Sequence, residues 1–112
     1  MKKVSLVIPA HNEEDCIEKT VRAFHSELKK ENIDHEILVI NDNSKDKTEQ
    51  ILQDLSKEIP ELRYINNTPP NGFGFAVRKG LENFQGEYVA IVMADLSDRP
   101  IDLISYLSLI HI

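Results

Sequence analysis

The rhythm of apolar residues limits what this chain can fold into. Val4 to Ile8, Glu36-Ile37-Leu38-Val39-Ile40 and Tyr88-Val89-Ala90-Ile91-Val92-Met93 are short, nearly unbroken apolar runs rich in β-branched side chains. Such runs suit central parallel strands covered on both faces. Between them the period changes. Ile17, Val21, Phe24 and Leu28 recur at helical spacing with Glu, Lys and Arg on the other face. A second helix is expected from about Asp46 to Ile59, where Pro60 stops it. Leu62 to Ile65 reads as another short strand, Asn66 to Gly72 as a turn-rich loop, and about Phe75 to Phe84 as a third helix. Strands alternating with helices predict the α/β class: a doubly wound, mostly parallel, Rossmann-like sheet with right-handed crossovers. Residues 1–112 carry no repeat or linker and read as one domain.

Composition removes several function classes. With 112 residues, 41% of them hydrophobic, the chain can bury a core and is too apolar to stay disordered. Its 13 basic and 19 acidic side chains leave a formal charge of −6. That provides no basic stripe for nucleic acid or an anionic membrane, while a small phosphorylated ligand needs only a local site. Cys16 is the single cysteine, so neither an internal disulfide nor a cysteine-built zinc site can form, and it reads as a core residue. The apolar opening stops at Pro9, too early for a signal peptide, and no apolar run reaches the roughly 20 residues of a membrane helix. A cytoplasmic location is expected.

In a doubly wound sheet, ligands bind outside the carboxyl ends of the strands. The segments at those ends are polar here: Pro9-Ala10-His11-Asn12-Glu13-Glu14, Asn41-Asp42-Asn43-Ser44 and Ala94-Asp95-Leu96-Ser97-Asp98-Arg99-Pro100. Three acidic loops are expected to share one rim. His11, without histidine or cysteine partners at ligand spacing, reads as a loop residue.

These segments carry a resemblance. Val4 to Glu14 resembles the opening strand and loop of family 2 glycosyltransferases, of the branch containing dolichyl-phosphate mannose synthases. Ile40 to Thr48 is similar to that family's second block, and Asn71 to Leu81 to its third. The blocks follow in family order and spacing over nearly the whole chain; each is weakly specific alone, and the ordered set is strongly specific. The resemblance implies a GT-A type nucleotide-binding half, a UDP- or GDP-sugar donor, Mg2+ or Mn2+, and inversion at the anomeric carbon. It implies base and ribose contacts for Pro9, Ala10 and Glu13, and a hydrogen bond from the nucleobase to Asp42, with Asn41 replacing the aspartate usual before it. Gly72 and Gly74, before the third helix, read as glycines that let the loop approach the donor, with Gly74 as the donor-site candidate and Arg78 as a candidate for the donor phosphates. Asp95 falls on the second acidic position of the Asp-x-Asp metal motif, while Met93 holds the first. That leaves Asp95 and Asp98 as the metal pair at a different spacing, with carboxylate oxygen suited to a hard cation.

Each position has a plainer alternative: a loop with Asn12 capping the first helix, a turn residue at Asp42, a solvated helix face at Arg78, and a helix cap before Pro100 at Asp98. The parent activity implied is sugar transfer to a lipid-phosphate or saccharide acceptor in cell-envelope or glycan biosynthesis, at the cytoplasmic face of the membrane. Membrane association would come only through a C-terminal part beyond this chain, and no catalytic base can be assigned. The alternatives are a non-catalytic nucleotide-sugar-binding fragment and a receiver-like signalling module. The latter keeps an acidic pair directly after its first strand, where Pro9 and Ala10 stand here. The segment from Ile101 to Ile112 turns apolar without a polar stop and reads as a truncated or frameshifted frame. The chain is therefore expected to bind donor without turnover, with its last strand uncovered on one edge and prone to self-association.

Overall fold

A computed structural model describes residues 3–95 and 99–104. The element order is β1 (Val4–Ala10), α1 (Ile17–Lys30), β2 (His35–Asn41), α2 (Thr48–Glu58), β3 (Leu62–Asn66), α3 (Phe73–Asn83) and β4 (Tyr88–Ile91). All neighbouring strands pair in parallel, in the order β3-β2-β1-β4. The expected α/β class and parallel topology are what forms.

Side-chain alternation along the strands sorts the core into two layers. Leu6 and Ile8 of β1 and Ile37 and Val39 of β2 pack with Ile17, Val21, Phe24 and Leu28 of α1 and with Leu52 and Leu55 of α2. On the other face Val7, Leu38 and Ile40 meet Ala76 of α3. Covered on both sides, β1 and β2 are buried at every residue, which is why their sequences lack a polar alternation.

The expectation that Tyr88 to Met93 is likewise a covered central strand is not met among the described residues. β4 spans only Tyr88–Ile91, pairs with β1 alone, and alternates in exposure along its length. Tyr88 and Ala90 pack toward the α1 layer, whereas Val89, Ile91 and Met93 are each 38% exposed. The reason is geometric: α3 packs chiefly over β1 and β2, which leaves that face of β4 open among the described residues.

Helix boundaries shift for local reasons. α2 begins at Thr48 because the Asp46 carboxylate accepts the Thr48 N–H at 2.9 Å outside the helix. α3 begins at Phe73, right after Gly72 in a left-handed conformation (φ 130°) that L side chains rarely adopt. Asn12 does not cap α1. It is itself left-handed (φ 53°), and its Oδ1 accepts the Lys45 N–H at 2.7 Å.

Gly80 shows how closely α3 approaches the sheet. A Cβ there would lie 2.3 Å from Val7 Cγ1 and 3.1 Å from Val7 Cγ2. Val7 is fully buried and β-branched, so it cannot swing aside. Overpacking of this kind costs about 3 kcal/mol, and the better helix propensity of alanine returns only about 1 kcal/mol. Gly80→Ala is therefore expected to destabilise the fold by about 2 kcal/mol in urea denaturation. An unchanged or raised midpoint would contradict this packing.

Candidate functional site

The strand order reverses direction at β1: β2 and β3 lie on one side, β4 on the other. Open α/β sheets bind ligands at such a switch point. Here the ladder between β1 and β4 pairs Val4 to Val7 with Tyr88 to Ile91, while β1 continues beside β2 as far as Ala10. Val7 O accepts the Val92 N–H, so by alternation Pro9 directs its nitrogen, which has no hydrogen, toward the same side. The two chains part at that point. A pocket of about 470 Å³ opens between them, lined by Pro9, Ala10, His11 and Glu13 after β1, Asp42 and Asn43 after β2, Asn71, Gly72, Phe73 and Ala76 at α3, and Met93 and Ala94 after β4.

Asp42 is the organising group. It is 6% exposed, and its carboxylate is held entirely by its own chain. Oδ1 accepts the side-chain N–H groups of Asn67 and Asn71, each at 2.9 Å, and Oδ2 accepts the Gly72 main-chain N–H at 2.9 Å. Burial works against its charge, but these three donors outweigh burial and hold the carboxyl below its ordinary 3.8. Asp42 thus ties the β3–α3 loop to the end of β2, which a plain turn residue would not do. Its main-chain oxygen accepts the His11 Nδ1–H at 2.6 Å, which fixes the His11 ring at the pocket wall.

The first two loops are laced together. Asn12 N–H donates to Ser44 Oγ at 3.0 Å, Glu13 N–H to Thr48 Oγ1 at 2.9 Å, and Glu14 N–H to Asp46 Oδ2 at 3.2 Å. Glu13 is thereby placed on the rim. Its carboxyl is pushed above the ordinary 4.5, first by burial and then by the negative charges of Asp95 and Asp46. Glu13 lines the pocket, whereas Asp95 is exposed and is not a lining residue; it follows Ala94, which is.

This donor set fits a hard divalent cation in one particular way. Carboxylate oxygens of Glu13 and Asp95 are the right chemistry. Among the described residues no group of three or more His, Cys, Asp or Glu is arranged to hold an ion. A cation here would be completed by phosphate oxygens and water, as is common for Mg2+. Asp98 lies outside the described residues. Met93, in place of the first motif aspartate, lines the pocket as an apolar wall.

Of the sequence candidates, Pro9, Ala10, Glu13 and Asp42 line this pocket together. Arg78 does not. It lines a separate groove with Phe75, Lys79, Glu82 and Asn67 to Pro70, its side chain 76% exposed and 3.8 Å from Glu82. Gly74 is not a lining residue, and a Cβ there would meet open space; Gly72 carries the positive φ and the contact with Asp42. Sequence reasoning left out His11, Asn67, Asn71 and Phe73. His11 falls in the first resemblance block and Asn71 and Phe73 in the third, while Asn67 lies in an asparagine-rich stretch after β3 that reads equally well as a turn.

Comparison with known proteins points to one family. The chain is 41% identical over 108 residues to the bactoprenol glucosyl transferase of Shigella phage SfV, covering 94% of this chain and 34% of that protein. It is 32% identical over 98 residues to the dolichol-phosphate mannosyltransferase of Pyrococcus furiosus, covering 88% and 27%. The structure superposes with a TM-score of 0.71 and 25% identity on mannosyltransferase PcManGT from Pyrobaculum calidifontis in complex with GDP-Man and Mn2+, over 84% of this chain and 28% of that one. The chain thus spans about a third or less of the length of these relatives. Residues 5–110 match the family described as Glycosyl transferase family 2, and with the strand-end blocks gathered round one pocket, the chain belongs to that family.

Proposed function

We propose that this chain holds the nucleotide part of a nucleotide-sugar donor in the switch-point pocket, within a parent protein that transfers the sugar, with inversion, to a lipid-phosphate or saccharide acceptor in glycan or cell-envelope synthesis. The observation that carries the reading is the Asp42 carboxylate, buried at the pocket wall and pre-set by Asn67, Asn71 and Gly72. A carboxylate offers about four lone-pair positions, so a nucleobase N–H can add to the donors already present. Pro9, Ala76, Phe73 and Met93 supply the apolar walls that suit a base and ribose.

Glu13 lines the pocket and Asp95 is exposed just after the lining residue Ala94; the two would hold Mg2+ or Mn2+ together with phosphate oxygens. When bound, such a cation offsets the negative charge that gathers on the departing nucleotide diphosphate. In the transfer itself the acceptor oxygen bonds to the anomeric carbon from the face opposite the leaving group, and the sugar–diphosphate bond breaks. A lipid phosphate attacks in its ionised form and needs no base, whereas a saccharide hydroxyl needs a carboxylate base. The relatives named for bactoprenol and dolichol phosphate favour the first, and the reading places the reaction at the cytoplasmic face of a membrane. No helix among the described residues is long and apolar enough to cross a membrane.

The test is calorimetry with UDP, GDP and their sugars, with and without Mn2+. Binding of one nucleotide series is expected, strengthened by Mn2+, and Asp95→Ala is expected to remove only the Mn2+-dependent part. Absence of binding by either series would overturn the reading, as would labelling of an aspartate by acetyl phosphate, which would restore the receiver alternative.

A further inference from the structure

Thr20 is the polar member of the buried face of α1, among Ile17, Val21, Phe24 and Leu28, and it is fully inaccessible. A threonine inside a helix commonly turns its hydroxyl back onto the carbonyl one turn earlier. Here the main-chain N–H of Thr20 takes the Cys16 carbonyl at 2.9 Å, while the hydroxyl donates across the fold to the main-chain oxygen of Ala94 at 2.7 Å.

Ala94 is where the chain leaves the sheet. The ladder to β1 ends with the Val92 N–H on Val7 O, Ala94 is 2% exposed in the α1 layer and lines the pocket, and the next residue, Asp95, is exposed. The facing loop is secured in the same way. Thr48, fully buried at the start of α2, accepts the Glu13 N–H at 2.9 Å. Each of the two rim carboxylates therefore leaves a backbone anchored by a buried threonine hydroxyl.

We infer that Thr20 is a positioning residue for Asp95: its buried hydroxyl anchors the Ala94 carbonyl and so sets the point from which the Asp95 carboxylate reaches the rim it shares with Glu13. The inference rests on the proposed reading of Asp95 as a cation-holding carboxylate. Thr20 touches no ligand; it acts through the chain it holds. Without the hydroxyl the Ala94 carbonyl loses the partner it has among the described residues, and the segment carrying Asp95 is free to move to regain one.

The experiment uses the 112-residue chain with UDP and GDP, each titrated with and without Mn2+, and follows Mn2+ itself by electron paramagnetic resonance. Thr20→Val keeps the shape and removes the hydroxyl. It is expected to lower the Mn2+-dependent gain in nucleotide affinity by roughly three- to tenfold, the equivalent of one hydrogen bond, while metal-free binding stays as in the wild type. Thr20→Ser, which restores the hydroxyl, is expected to restore the gain. Thr20→Ala serves as a second hydroxyl-free variant if valine fails to fold. Equal loss of metal-free and Mn2+-dependent binding would assign Thr20 a merely structural role and overturn the inference. Asp95→Asn separates the two ideas. If it leaves the Mn2+ gain intact, the reading of Asp95 fails and the inference with it. If it abolishes the gain while Thr20→Val keeps it, only the inference about Thr20 fails.

Discussion

Glu36→Ala is expected to destabilise the fold by about 3 kcal/mol, the low end of the range for opening a buried ion pair. Glu36 is 4% exposed and faces α3 from the second position of β2. Its carboxylate accepts the Ser5 hydroxyl at 2.6 Å, the Gln85 N–H at 2.6 Å and Arg63 Nε–H at 2.9 Å. Arg63 also donates to the Asn83 carbonyl at the end of α3. One side chain thus joins β1, β2, β3 and the turn into β4. Alanine would remove the acceptor of the buried Ser5 O–H and of the Gln85 N–H, leaving the Ser5 oxygen with only the Gly86 N–H. Arg63 is one-third exposed and can turn to water, which is why the low end applies.

The effect has a definite pH dependence. Burial opposes the charge on Glu36, but the bonds from Ser5, Gln85 and Arg63 prevail, so the carboxyl titrates below its ordinary 4.5. The unfolded chain then takes up the proton first as the pH falls. The contribution of Glu36 is complete above about pH 4.5 and is lost as the pH drops through the lower, folded value. Urea midpoints of wild type and Glu36→Ala should differ widely at neutral pH and converge in acid. A mutant midpoint equal to wild type at neutral pH would remove the clamp from this account.

Asp42→Ala is expected to weaken uridine or guanosine binding by roughly ten- to a hundredfold, the equivalent of a charged hydrogen bond, with or without Mn2+. The loss has two sources: the acceptor facing the base disappears, and Asn67, Asn71 and Gly72 lose the group that sets the β3–α3 loop. Asp42→Asn is expected to do little better. Oδ1 faces two N–H donors and Oδ2 faces a third, so either orientation of the amide places N–H against N–H. Circular dichroism should show the sheet intact, because the hydrophobic clusters do not include Asp42. Wild-type nucleoside affinity in Asp42→Ala would refute the proposed base contact, whatever the metal side does.

Much of this protein could be read from its residues in order. Unbroken apolar runs at β1 and β2 require cover on both faces, the helical period at Ile17 to Leu28 supplies one layer, and the alternation requires parallel strands. The strand-end rule then directs attention to Pro9, Ala10, Glu13, Asp42 and Asp95 before any coordinates are known. The fold inferences succeed because periodicity is a local property.

Tertiary structure decided what depends on contacts between distant segments. A run of apolar residues says that a strand wants cover, not that cover arrives, and the uncovered face of β4 follows from where α3 lies. Gly72 rather than Gly74 carries the turn because the backbone must present its N–H to Asp42, thirty residues away in sequence. Arg78 shares its block with pocket residues yet lines another groove, since successive helical positions point in different directions. The bond from Thr20 to Ala94 spans 74 residues and has no signature in either segment. The side chains that belong to the site by type are legible along the chain, but those that aim them are chosen by the packing of helices on the sheet, which no local pattern records.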